Sequence, residues 1–145
     1  RKMEAFKKWI YTGTFGIRID IVLMLLRIVF GTLMMMHGYH KLLNIISGQV
    51  EFADPLGIGE SLSLYLTVFA EFFCSILLIL GLMTRLALIP LMITMLVALF
   101  IVHQNDPLGE KEIAILYMIG FYAIYLAGPG GLSMDAKLFK TKTNE

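Results

Sequence analysis

LYLTVFAEFFCSILLILGL, residues 64–82, is an apolar run broken by a single charge, Glu71. Its companion, IVLMLLRIVFGTLMMM at residues 21–36, is broken only by Arg27. Runs of this kind match the roughly 20 apolar residues that a helix needs to cross a hydrocarbon core about 30 Å thick. Inside hydrocarbon every backbone N–H and C=O must be satisfied by the protein itself, and neither run shows the alternation of a barrel strand. Both are therefore read as membrane-crossing helices. A charge at that depth costs at least about 2.5–3.5 kcal/mol on insertion scales, so Glu71 and Arg27 mark where a partner or a cavity is to be sought.

Working outward, four helical segments are expected, at about 19–43, 62–83, 86–102 and 110–127. The last is apolar only from Ile113 and borrows its first turn from Glu110 to Glu112. Pro90, early in the third segment, is expected to cause only a local adjustment. An outer loop fills residues 44–61, and a Gly/Pro stop followed by a basic tail fills 128–145. Of the 145 residues, 58% are hydrophobic and 16% charged, against about a quarter charged in soluble domains. The mean hydropathy is +0.79. The expected fold is all-α: a polytopic membrane four-helix bundle forming one domain over residues 1–145. The first apolar segment is long and lacks a small-residue cleavage site, so it is read as a retained span.

Orientation follows the lysines and arginines. Arg1, Lys2, Lys7, Lys8, Arg18, Arg85, Lys137, Lys140 and Lys142 fall on one side, while Lys41 and Lys111 share the other with six acidic residues. This places both termini in the cytoplasm and the chain in the inner membrane. The net charge of +1 gives no support to nucleic-acid binding. The single cysteine, Cys74, can form no internal disulfide, and any thiol exchange needs a partner protein.

At 100° per residue, Arg27, Gly31, Met34, Gly38 and Lys41 share one stripe of the first helix, with His37 at its edge and His40 roughly opposite. Glu60, Leu64, Thr67, Glu71, Cys74 and Ser75 form the polar stripe of the second. Counting inward from the cytoplasmic ends, Arg27 and Glu71 come to similar depths, which predicts an ion pair between them. His37 and Lys41 continue the stripe outward, His103 ends the third helix and Glu112 starts the fourth. Together they predict an outward-opening polar cleft with Arg27 and Glu71 at its floor. Tyr117 is the helix-four aromatic nearest that opening. No metal site is expected, because His37 and His40 diverge and no cysteine stands near them.

These residues have a familiar order. Arg27, HGYHK (37–41), FADPLGIG (52–59), Ala70-Glu71, GLMTRL (81–86), His103 with DPLGEKEIAILY (106–117), and AGPGGLSMD (127–135) together resemble the DoxX family over nearly the whole chain. The resemblance implies a small four-helix membrane protein related to a subunit of a thiosulfate:quinone oxidoreductase. Other members are associated with thiol and oxidative-stress complexes beside a sulfurtransferase and superoxide dismutase. The polar signature carried over is Arg27, His37, Lys41, Glu71, His103 and Glu112.

The function expected is that of a redox subunit taking a quinone or sulfur species. Arg27, Lys41, Glu112 and Tyr117 would bind it, and Glu71 with His37 or His103 would relay protons. Electrons would come from a membrane or periplasmic partner subunit or from a second bound substrate. A non-catalytic assembly subunit, its buried charges locking helix packing, is the alternative. A small-solute or proton transporter ranks last, since the two halves share no repeat.

Overall fold

The computed structural model describes residues 1–11, 13 and 15–140, so Lys142 and the end of the basic tail lie outside the described residues. Among the described residues there are helices and no strands. In chain order these are α1 (Lys2–Ile10), α2 (Ile17–Ile46), α3 (Glu60–Leu80), α4 (Thr84–Val102), α5 (Leu108–Ala127) and α6 (Met134–Phe139). Helices α2, α3 and α4 are long and apolar enough to cross a membrane. In α5 the first turn holds Glu110, Lys111 and Glu112, which shorten its apolar run. Helix α2 overruns its expected 19–43 at both ends, and α1 and α6 are helices where only charged flanks were expected.

α2 to α5 pack around Met34, Cys74, Leu78, Leu88, Leu91, Phe121 and Ile124. The residues α2 buries are Asp20, Leu23, Arg27, Gly31, Met34 and Gly38, which is the stripe read from its sequence continued inward. The opposite face presents Ile21, Val22, Leu25, Ile28, Val29 and Leu33, all exposed. Soluble monomers do not leave so continuous an aliphatic face uncovered.

One end of the molecule is tied by side chains capping helix ends. Gly81 closes α3 in a left-handed conformation (φ 67°), with Leu82 N–H donating to the Leu77 carbonyl at 3.0 Å. Asp135, 0% exposed, accepts the Met83 and Thr84 N–H groups at 2.7 and 2.9 Å and so caps the start of α4. Arg85 donates to the Tyr125 and Leu126 carbonyls at 2.9 and 3.0 Å, placing a cation at the C-terminus of α5, and also to the Trp9 carbonyl. Asp20 accepts the Gly131 N–H at 2.8 Å. The segment expected to be only a stop and a polar tail is therefore folded back beneath the helices.

Two glycines set the α2–α3 register. A Cβ on Gly38 would stand 2.6 Å from the Phe72 nitrogen and 2.7 Å from the Glu71 carbonyl carbon, and one on Gly31 would stand 2.7 Å from Ile79 Cγ1. The helices run antiparallel with Gly38 opposite Glu71 and Arg27 opposite Gly81. At the other end, Asp54 accepts Ile58 N–H, Gly59 N–H and Ser63 Oγ–H at 3.0, 2.8 and 2.9 Å, joining the loop to the start of α3. These bonds, that from Gly59 foremost, hold the Asp54 carboxyl below its usual pKa.

Candidate functional site

Lys41 Nζ donates to Glu71 Oε2 at 2.6 Å. The Glu71 side chain is 6% exposed and that of Lys41 29%. A carboxylate so enclosed needs a cation, and Lys41 supplies it from the C-terminal half of α2. The close approach at Gly38, one turn away, lets the short bond form. Around Glu71 the α-helix widens into a π turn over Phe69–Cys74, a feature often found at functional sites.

The expected Arg27–Glu71 pair does not form. Arg27, 1% exposed, donates to the Ile79 and Leu132 carbonyls instead. Counting depth from helix ends misleads here because α2 overshoots α3: its first turns lie beside Gly130 and Gly131, and Arg27 comes level with the end of α3. Gly81 and Glu71 are ten residues apart on that helix, about 15 Å. Arg27 thus belongs to the capped end, where a Cβ on Gly81 would fall 1.9 Å from its Nη1.

Glu71 and Lys41 open onto a cavity of about 230 Å³. Its lining joins the apolar Met34, Met95, Ile113 and Ala114 to His37, His103, Glu110 and Tyr117. Tyr117 is buried, held by edge contacts with Phe30 (centroids 5.8 Å) and with the His37 ring (6.1 Å). His103 Nδ1 lies 2.6 Å from the Asp106 carboxylate, which leaves Nε2 for another partner. Lys41 also stands over the Phe52 ring, 5.8 Å from its centroid.

Of the residues singled out from sequence, the fold brings Glu71, His37, His103, Lys41 and Tyr117 to this one cavity. It leaves out Arg27 and Glu112. On α5 the cavity face is Glu110, Ile113, Ala114 and Tyr117, spaced i, i+3, i+4, i+7, and Glu112 is turned some 200° from Glu110. Glu112 is exposed. Glu110 was the missed residue, and the same wheel extended down from Tyr117 finds it. Cys74 is packed in the core at 2% exposure, out of reach of an exchanging thiol.

The arrangement sets one enclosed cation–carboxylate pair beside two imidazoles and a phenol, in a chamber lined also by Met34, Met95, Ile113 and Ala114. Such a chamber can hold a small molecule by an oxygen atom and move protons to or from it.

Residues 22–104 match the family profile described as DoxX. A protein of Bacillus subtilis (strain 168), named "Putative oxidoreductase CatD", is 27% identical over 126 residues, covering 86% of this chain and 92% of its own. An "Uncharacterized protein" of Haemophilus influenzae (strain ATCC 51907 / DSM 11121 / KW20 / Rd) is 33% identical over 126 residues, covering 79% of this chain and 89% of its own. No solved structure matches significantly.

Proposed function

The chain belongs to the DoxX family of membrane proteins, and on that premise we propose that it binds a quinone head group in the Glu71–Lys41 cavity and serves thiol- or sulfur-linked redox chemistry there. The observation that carries this is the 2.6 Å Lys41–Glu71 pair, enclosed yet lining a chamber shared with His37, His103 and Tyr117. A pair that served packing alone would gain nothing from opening onto a cavity. At about 230 Å³ the chamber lies below the roughly 300–1,000 Å³ typical of drug-sized ligands, which suits a single oxygenated ring. The oxidoreductase name of the Bacillus subtilis relative favours the same class.

In this reading Lys41 faces a quinone oxygen and stabilises the negative charge that develops as electrons arrive. Glu71, His37 and His103 exchange the protons. Two thiols give up two electrons and two protons to become a disulfide, and the quinone takes both to become a hydroquinone. The thiols come from a partner subunit or a soluble donor, since Cys74 is sealed in the core. The whole chain forms one domain in the inner membrane with four spans, α5 included, and both termini in the cytoplasm.

The test is binding of a short-chain quinone to the purified chain in nanodiscs, followed by isothermal titration calorimetry. Glu71→Gln and Lys41→Met should each weaken binding at least tenfold. Glu112→Gln, outside the cavity, should leave it unchanged. Equal affinity in all three variants would remove the cavity from the mechanism.

A further inference from the structure

The short connection between α4 and α5 gathers three potential ligands that lie far apart on any single helix wheel. Helix α4 ends in a π turn over Ala98–Val102, with His103 N–H donating to the Ala98 carbonyl at 2.9 Å. Asp106 N–H then donates to the His103 carbonyl at 3.1 Å, and Glu110 N–H to that of Pro107 at 3.1 Å. These bonds fix the backbone so that one ligand atom each from His103, Asp106 and Glu110 lies within 4.8 Å of the others. The nearest cation in sequence, Lys111, donates to the Gln104 carbonyl at 3.0 Å and forms no ion pair with Asp106 or Glu110. Among the described residues, Glu110 forms no ion pair.

We propose that His103, Asp106 and Glu110 bind one divalent first-row transition-metal ion at the outer edge of the cavity. Two carboxylates and an imidazole with no lysine or arginine between them form a site that attracts a cation. The mixed nitrogen and oxygen donors select a zinc-, iron- or manganese-type ion over calcium, which takes oxygen ligands. Bonds to such an ion run about 2.0–2.2 Å, which places neighbouring ligand atoms roughly 3 Å apart. His103 and Asp106, at 2.6 Å, need to part only slightly, and the exposed Glu110 is the arm that closes. Three protein ligands leave coordination positions open, and two of the three residues, His103 and Glu110, line the cavity. The ion would therefore add a positive charge to the chamber that already holds Lys41. The sequence hid this site because His103 ends one helix and Glu110 begins the next, so only the turn brings them together.

The full chain, freed of metal with a chelator and reconstituted in nanodiscs, is titrated with Co²⁺ while its visible d–d absorption is followed, then back-titrated with Zn²⁺. One saturating equivalent is expected. His103→Ala, Asp106→Asn and Glu110→Gln should each weaken it at least tenfold, and His40→Ala, an exposed histidine outside the cluster, should bind as the parent does. X-ray absorption of the Zn²⁺ form of the unaltered chain, which needs no variant to fold, should show one imidazole nitrogen with the remaining ligands oxygen. Absence of saturable binding, binding that survives the three substitutions, or a zinc shell with sulfur or with two or more imidazoles would each overturn the proposal. The readout is metal binding alone, so its failure leaves the quinone reading standing, and loss of quinone binding leaves the metal site standing.

Discussion

Replacing Gly38 with Ala tests whether the α2–α3 contact builds the site. The added Cβ would stand 2.6 Å from the Phe72 nitrogen, 2.7 Å from the Glu71 carbonyl carbon and 2.9 Å from Glu71 Cβ, and the first two are backbone atoms that cannot rotate away. Ordinary contact begins near 3.4 Å, so the helices must separate locally by about 0.8 Å. Overpacking of this kind costs about 1–3 kcal/mol. The same shift would stretch the 2.6 Å Lys41–Glu71 bond beyond good hydrogen-bonding distance. Gly31→Ala meets Ile79 Cγ1 at 2.7 Å and the Ser75 carbonyl oxygen at 3.2 Å, a side-chain clash with one milder backbone contact, and should cost less, whereas Gly109→Ala meets nothing within 4 Å on a helix and should be neutral or stabilising. Thermal unfolding of the three variants in detergent, followed by circular dichroism, should rank them Gly109, Gly31, Gly38 from most to least stable, with Gly38→Ala losing several degrees. A Gly38→Ala protein as stable as Gly109→Ala would refute both the close approach and its role in seating the ion pair.

Two further expectations concern the ends of the molecule. Asp135→Ala leaves the part-buried Met83 and the buried Thr84 N–H groups without an acceptor and should cost about 1–3 kcal/mol in denaturant unfolding, with Asp135→Asn recovering part of it. In the loop between α2 and α3, the Asp54 pKa lies below 3.8 in the folded chain, so its carboxylate contributes loop stability that is fully present above 3.8 and is lost as pH falls through the depressed value. Hydrogen exchange over residues 54–63 should therefore show protection, beyond the intrinsic pH dependence, that persists at neutral pH and disappears below 3.8. Asp54→Asn should flatten that profile.

Much of the fold could be read from the chain because a 3.6-residue period leaves a direct trace. The Arg27-to-Lys41 stripe packs inward, and so do Leu64, Glu71, Cys74 and Ser75 of the second stripe, whereas Glu60 at its start is exposed and Thr67 only half-buried. What escaped depends on how the helices are offset. Equal depth for Arg27 and Glu71 presumed that α2 and α3 end level, and only the Gly31 and Gly38 contacts reveal the overshoot that gives Glu71 to Lys41. The fold-back of residues 128–139 was equally hidden, since AGPGGLSMD marks a chain reversal but not the Asp135 carboxylate that caps α4. Nor does any local pattern announce the π turns at Phe69–Cys74 and Ala98–Val102, which re-aim Glu71 and His103 by widening one turn.

Where a quinone would sit is most directly read by photo-crosslinking a short-chain azidoquinone to the nanodisc-embedded chain and mapping the adduct by peptide mass spectrometry. Labelling should fall on peptides holding residues 34–41, Glu71 and 103–117, should be competed by unlabelled quinone, and should fade in Glu71→Gln while persisting in Arg27→Met protein that remains folded. Competable labelling around Arg27 and Leu132 instead, or labelling indifferent to both competitor and Glu71→Gln, would contradict a ligand site at the Glu71–Lys41 pair.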